Sequence, residues 1–315
     1  MLSAIRAARQ RLSPYLSPTP LVRRDALSRR LGASVHCKLE TLQPTGAFKV
    51  RPAFNSVLAG LDAARSNGVV TSSSGNFAQA VAYAARELDV HARIVMMSSA
   101  SAFKRDRTRA LGAEVVDCAA NFEARLQTVQ RIHAETGALV LSAYNSPETV
   151  TGDGTLGLEL LDQLPEAFCV VVPMSGGGLI SGIATAVKEL RPGCRVIGVQ
   201  AAASPAWRVA LDAGEIVTTS PNPSLADALQ VAAPGDLTFP IVQRWVDDVV
   251  LVSEDEIEAA VRWLAVEEKL VVEGGGAVGV AAALAGRIDR QGLDLVFVLS
   301  GGNILPSALA RILTT

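Results

Sequence analysis

The sequence predicts an α/β fold in which mostly parallel sheets are covered by helices. Three observations carry this. Short β-branched runs alternate with segments of helical period along the 315 residues. The run Cys169 to Val172 is apolar at every position, as in a strand buried on both faces. Glycine-containing turns join strand to helix at Ser72 to Asn76 and at Ser175 to Gly178. Parallel strands need long crossovers, and alternating helices supply them.

Met1 to Leu12 reads as an amphipathic helix with Arg6, Arg9 and Arg11, lacking the unbroken apolar stretch of a secretory signal. Val35 to Leu39, apolar and β-branched at its start, reads as a strand. Val50 to Ala64 reads as a helix, with Phe54, Val57, Leu58 and Leu61 at helical spacing and Gly68 closing the segment. Pro52 falls in its first turn, where the missing N–H has no helical partner. A strand at Val69 to Thr71, the Ser72 to Asn76 turn and an Ala-rich helix from Ala78 to Leu88 follow. Next come strand His91 to Met97, helix Ser101 to Leu111, strand Glu114 to Asp117, helix Phe122 to Thr136 and strand Leu139 to Ser142.

A helix from Gly152 or Thr155 to Leu164 leads to the strand at Cys169, and helix Ile180 to Leu190 and strand Arg195 to Gln200 follow. Ala201 to Gln243 is richer in Pro, Ser and Ala and reads as helices with a long excursion. Segment Val249 to Ser253, helices Asp255 to Glu268 and Gly276 to Ala285, and strand Leu293 to Leu299 complete the alternation. There is no internal repeat, no low-complexity linker and no composition break to mark a domain boundary.

A hydrophobic content of 49% supports a substantial core, in one large domain or two. A net charge of −2, from 29 basic and 31 acidic residues, gives no electrostatic footprint for nucleic acid or an anionic membrane. No apolar run reaches the roughly 18 residues that span a bilayer. Small-molecule binding is the class left. Cys37, Cys118, Cys169 and Cys194 have no close pair and read as reduced thiols of a cytoplasmic protein. His36, His91 and His133 lie far apart, which leaves little material for a histidine metal centre or a Ser–His–Asp hydrolase.

Two stretches carry chemistry. Lys49, after a Gly turn and Phe48 near an apolar run, is placed to present its amine inside a site. Burial lowers an amine's pKa and frees its lone pair to attack a carbonyl, giving a Schiff base. Ser175-Gly176-Gly177-Gly178-Leu179 sits between a strand and a helix, where backbone N–H groups and the helix N-terminus favour an anion. A phosphate or a dinucleotide pyrophosphate suits such a cradle, and a plain tight turn has the same composition. Against the dinucleotide, the Gly-x-Gly phase is imperfect and Val199-Gln200 lacks the ribose-binding acid.

Thr45-Gly46-Ala47-Phe48-Lys49, Ser72-Ser73-Ser74-Gly75-Asn76-Phe77-Ala78-Gln79, Pro173 to Gly182, and Ser300-Gly301-Gly302-Asn303, in this order, resemble the fold-type II pyridoxal-phosphate enzymes. The resemblance is to the threonine/serine dehydratase and serine racemase branch and runs from Thr19 to Asn303. It implies two open twisted sheets with the cofactor, pyridoxal 5'-phosphate, in the cleft between domains. Residues 1–50 and 143–315 would form the large domain, 51–142 the small one, with no C-terminal regulatory domain. Lys49 would carry the cofactor and then act as general base, with Phe48 packed on the ring. Ser175, Gly176, Gly177, Gly178 and Leu179 would hold the phosphate, Asn76 the ring oxygen and Ser300 the pyridine nitrogen. Glu273 would lie near the ring and Ala228 against its face. Ser72, Ser73, Ser74, Gly75, Asn76 and Phe77 would bind the substrate, with Ser74 on the ring face opposite Lys49. The family's common homodimers and homotetramers are implied as well.

Several positions depart from the family pattern. Phe77 stands for a histidine, Ala228 for a glycine, Pro52 for the glycine after Arg51, and Ser175 for the first of four glycines. The resemblance places a divalent cation after the strand ending at Val199, but Gln200 and Ala206 replace its acids, so no metal is expected there. The reading that follows is a lyase acting on a β-hydroxy amino acid such as L-threonine or L-serine by α,β-elimination to a 2-oxo acid and ammonia. Together these departures keep a bulkier β-hydroxy amino acid open. Racemisation and β-replacement are rivals on the same cofactor. A nicotinamide oxidoreductase and an inactive amino-acid sensor are rivals of other classes.

Overall fold

The computed structural model describes residues 1–314, apart from the side chain of Phe122. Among the described residues, ten strands fall into two sheets. Strands β1 (Leu21–Arg23), β2 (Val35–Leu39), β7 (Phe168–Pro173), β8 (Arg195–Ala201), β9 (Asp248–Val252) and β10 (Asp294–Leu299) form a six-stranded sheet of order β1-β2-β10-β7-β8-β9. Strands β3 (Val69–Ser72), β4 (Ala92–Met97), β5 (Glu114–Cys118) and β6 (Leu139–Val140) form a four-stranded sheet of order β5-β4-β3-β6. All pairings are parallel except β1 with β2, an antiparallel edge that sequence reading did not separate from the flanking loop.

Alternation along the strands explains the layering. On β7, Cys169 and Val171 face one core with Ile257, Val261 and Leu264 of the helix Glu254–Val266 and with the helix Gly274–Leu284. Val170 and Val172 face the other, with Leu156 and Leu160 of the helix Pro147–Gln163 and Ile180 and Ile183 of the helix Gly178–Leu190. The small sheet is likewise covered on both sides. Val69 and Ile94 pack with the helices Val50–Ala59 and Asn76–Glu87, and Val70 and Val95 with Val129 and Ile132 of the helix Phe122–Thr136.

Two helices differ from the sequence reading for physical reasons. The helix expected over Val50 to Ala64 breaks at Gly60 into Val50–Ala59 and Leu61–Asn67, where Leu139 would lie 2.9 Å from any Cβ on Gly60. The helix expected from Gly152 or Thr155 begins at Pro147, capped by the Ser146 side chain. Gly152, Gly154 and Gly157, which argue against helix by propensity, instead let the helix press against Pro52, Gly182 and Ile183. Asp25–Leu31 adds a short helix that the sequence reading did not separate.

Both sheets aim the carboxyl ends of central strands at one cleft, the usual ligand position in open α/β sheets. β3 runs into the Ser72 to Gly75 loop, β7 into the glycine turn, β10 into Ser300, and β2 leads through a short 3-10 turn (Glu40–Leu42) toward Lys49.

Candidate active site

The Lys49 turn is stitched to the end of β10. Ala47 pairs antiparallel with Gly301, Phe48 N–H donates to the Ser300 carbonyl at 3.0 Å, and Gly302 N–H donates to the Gly46 carbonyl at 2.8 Å. Gly46 has φ +72, and a Cβ there would meet Asn303 Oδ1 at 2.9 Å. Only glycine fits. The chain then enters the helix Val50–Ala59 with Lys49 pointing into the cleft.

Lys49 Nζ donates to the Ala143 carbonyl at 2.6 Å and lies 4.7 Å from the Phe48 ring centroid and 5.7 Å from that of Phe77. Burial lowers its pKa, with Asp153 opposing the shift. The amine therefore has the partly desolvated surroundings that favour a nucleophilic lone pair. Two residues on, Arg51 is buried and donates to both Glu40 and Glu159, and Lys38 Nζ donates to Glu159 at 2.6 Å. Burial alone would push the Glu40 carboxyl up, but Arg51 and the Thr19 hydroxyl hold it below its ordinary value. These four charges balance, and the network anchors the first turn after Lys49.

The cleft encloses about 480 Å³, within the range of small-molecule sites. Every residue expected from the sequence lines it. Phe48, Lys49 and Ser300 come from the stitched turn; Ser72, Ser73, Ser74, Gly75, Asn76 and Phe77 from the loop after β3. Ser175, Gly176, Gly177, Gly178 and Leu179 follow β7, and Ala228 and Glu273 close the far side. Phe77 is 2% exposed, so most of its ring belongs to the small sheet's core. Ala228 is exposed on the 3-10 turn Asp227–Leu229. Ser300 does not cap a helix: the last one starts at Pro306.

The glycine turn has the donors of an anion site. Ser175 through Ile180 offer backbone N–H groups with no acceptor among the described residues, and the first bond of the helix Gly178–Leu190 is Ser181 N–H to the Gly177 carbonyl at 3.0 Å. Gly177, at φ +97, has Trp207 Cζ2 2.4 Å from its hypothetical Cβ. The carbonyls turn away from the donors: Ser175 O accepts from Trp207 Nε1 at 2.6 Å and Gly176 O from Thr238 Oγ1 at 2.8 Å. Buried, unused donors at a helix N-terminus fit a phosphate monoester, and a desolvated amine across the cleft fits an aldehyde.

The loop after β3 presents a second set of N–H groups at the start of the helix Asn76–Glu87, with Gly75 at its N-cap and no side-chain cap. Ser72 Oγ accepts from Arg125 Nε at 2.7 Å, and Ser73 Oγ accepts from Gly75 N–H at 3.3 Å. Ser74 makes no hydrogen bond among the described residues. Asn76 donates to Glu273 Oε1 at 2.6 Å and accepts from Asn303 Nδ2 at 2.8 Å, leaving one amide hydrogen for a ligand.

Sequence reading missed Tyr144, whose ring packs on Gly176, and Lys104, Arg107 and Arg125 along the mouth. Lys104 Nζ bonds Asp227 Oδ2 at 2.6 Å and Arg107 bonds Asn303 Oδ1 at 3.2 Å, so helix Ala102–Ala110 bridges the cleft. These lie in segments of ordinary surface composition, where only three-dimensional neighbours reveal a role. Gln200 Oε1 accepts the backbone N–H groups of Trp207 at 3.0 Å and Arg208 at 3.3 Å, capping the helix Ala206–Ala213. Among the described residues no group of three or more His, Cys, Asp or Glu could hold a metal ion, and no helix is long and apolar enough to cross a membrane.

Residues 12–301 match the family model described as pyridoxal-phosphate dependent enzyme. The chain is 40% identical over 312 residues to an L-threonine ammonia-lyase of Thermotoga maritima, covering 99% of this chain and 78% of that one. It is similar to maize serine racemase, with a TM-score of 0.94 at 37% identity over 98% of this chain and 95% of that one. A crystal structure of a T.th. threonine deaminase gives a TM-score of 0.90 at 38% identity, over 96% of this chain and 98% of that one. With a glycine-turn anion cradle, a desolvated lysine and the fold-type II pair of sheets around them, the chain belongs to the pyridoxal-phosphate dependent enzymes.

Proposed function

We propose that this protein is a pyridoxal-phosphate-dependent ammonia-lyase that converts a β-hydroxy amino acid of the L-threonine or L-serine type to a 2-oxo acid and ammonia. The observation that carries the reading is the placement of Lys49 Nζ, buried beside Phe48 and Phe77 in the cleft that the unused donors of the Ser175 to Ile180 turn also line. Pyridoxal phosphate, when bound, supplies an electron sink for a carbanion at the substrate's α-carbon.

The residues supply the rest. Ser175 through Leu179 would hold the phosphate by backbone N–H groups, and Ser300, 5% exposed just after β10, would meet the pyridine nitrogen. As a neutral hydroxyl, Ser300 would meet that nitrogen without supplying the charge of a carboxylate. Asn76 would orient the ring through its remaining amide hydrogen, while Glu273, Phe48 and Ala228 would frame it. Ser72 through Phe77 hold the substrate carboxylate with the N–H groups at the start of the helix Asn76–Glu87. Lys49 Nζ would act as the base that takes the substrate's α-proton.

A racemase reading is favoured by one observation. Ser74 lines the cleft with no hydrogen-bond partner among the described residues, as a proton donor to a second face would. The remaining proposals are a large domain of residues 1–50 and 143–315 and a small one of 51–142, a cytoplasmic location, and a homodimer or homotetramer.

The test is 2-oxo acid release by cofactor-loaded protein across L- and D-serine, L- and D-threonine and 3-phenylserine, with Lys49→Ala as the blank. Release from an L-β-hydroxy amino acid, absent in the blank, supports the lyase. Inversion of serine without 2-oxo acid supports the racemase, and silence in both assays overturns both readings.

A further inference from the structure

We propose that Asp153 belongs to the phosphate site as a neutral carboxylic acid, a positioning residue that takes up one proton from solvent when a phosphate group settles on the glycine turn. This rests on the placement of the cofactor phosphate at Ser175 through Leu179.

Asp153 sits on the helix Pro147–Gln163 with 0% exposure, and neither carboxyl oxygen has a hydrogen-bond partner among the described residues. Its Oδ2 lies 3.0 Å from where a Cβ on Gly178 would stand, directly behind the first residue of the helix whose N–H groups are unused. A buried acid without a partner is rare in folded proteins and calls for a ligand or a proton.

Among the described residues, two cations act on it, Lys49 and Arg51. Arg51 faces it but is engaged by Glu40 and Glu159, and Glu40 adds a negative charge. The helix Gly178–Leu190 has no titratable side chain before Lys188. The helix Leu2–Leu12, packed on the other side, has Arg9 bonded to Asp162 and Arg11 to Asn55. Lys49 is what remains, and it is the amine that the cofactor engages. Burial foremost, with Glu40 adding to it, pushes the Asp153 carboxyl up to about 7, against Lys49 and Arg51.

An ionised carboxylate behind Gly178 would stand beside a phosphate dianion in a desolvated site, where like charges repel strongly. Protonation removes that repulsion and turns an acceptor-only group into one with an O–H to donate. Phosphate affinity is therefore linked to one proton on Asp153.

Pyridoxine 5'-phosphate tests this, because its alcohol replaces the aldehyde and it binds without condensing with Lys49. It is titrated calorimetrically into cofactor-stripped wild type and Asp153→Asn from about pH 6 to 9, a span that brackets a carboxyl raised this far. Two buffers of different ionisation enthalpy report proton uptake. Above the carboxyl's pKa, wild type is expected to take up a proton and lose about tenfold in affinity per pH unit relative to the variant. Asp153→Asn is expected to bind at neutral pH without that uptake. Parallel pH profiles with equal uptake in the two proteins overturn the proposal. If the variant does not fold, absence of proton uptake by wild type above pH 7 does so alone. Glycine-selective ¹⁵N spectra separate the two levels. If Gly176 to Gly178 do not shift on binding, the phosphate placement itself fails; if they shift while the profiles stay parallel, only the role of Asp153 does.

Discussion

Asn76 donates its side-chain amide to Glu273 Oε1 at 2.6 Å across 197 positions of sequence. Asn303 extends the contact, its Nδ2 donating to Asn76 Oδ1 at 2.8 Å and to the Thr45 carbonyl at 2.8 Å. The loop after β3, the Lys49 turn and the segment after β10 thus share one hydrogen-bond network. The two sheets meet through the groups that frame the cofactor site.

Glu273 makes stability depend on pH. Burial pushes its carboxyl from 4.5 up to about 7, with Asn76 opposing. Between those values the folded state binds more protons than the unfolded one, so stability falls as pH rises through that window. Asp153, raised from 3.8 to about 7, acts with the same sign. Lys49, lowered by burial, acts with the opposite sign at higher pH. The urea midpoint of cofactor-free protein is expected to fall from about pH 4.5 to 7, and Glu273→Gln to flatten that slope. An unchanged slope in the variant contradicts this assignment.

Arg51 tests the buried network. Arg51→Ala leaves Glu40 and Glu159 without their shared cation and is expected to lose about 3–5 kcal/mol in equilibrium unfolding. Arg51→Lys recovers only part, because an ammonium cannot reproduce the forked donation to two carboxylates. A loss below about 1 kcal/mol, the scale of a surface pair, would show that the cluster is well solvated.

Gly177→Ala tests the cradle. Its Cβ would stand 2.4 Å from Trp207 Cζ2 at a φ of +97. The substitution is expected to cost more than about 1 kcal/mol of stability and to weaken cofactor binding at least tenfold, read by fluorescence titration. Gly214→Ala, at φ +74 with nothing within 4 Å, shares the backbone strain without the contact and is expected to leave cofactor binding intact.

The strand and helix alternation, the Lys49 turn and the Ser175 to Leu179 turn were legible from local patterns: β-branched runs, glycine turns, and a lysine after an aromatic. Ser74, Asn76, Ala228, Glu273 and Ser300, which also line the cleft, were expected only through the family resemblance. Val35–Leu39 and Phe122–Thr136 fall where periodicity puts them. Helix Pro147–Gln163 does not, because the gains from close packing at Gly152, Gly154 and Gly157 depend on chain segments distant in sequence. Asp153 and Tyr144 were invisible for the same reason. A lone Asp inside a helix gives no local sign that both its oxygens lack partners, and Tyr144 is defined by a contact with Gly176.

Borohydride reduction followed by peptide mass spectrometry reads whether Lys49 is the amine that engages the cofactor. A single phosphopyridoxyl addition is expected, confined to the peptide containing Lys49 and absent from Lys49→Ala. Addition at another lysine, such as Lys38 or Lys104, with Lys49 unmodified, would contradict it.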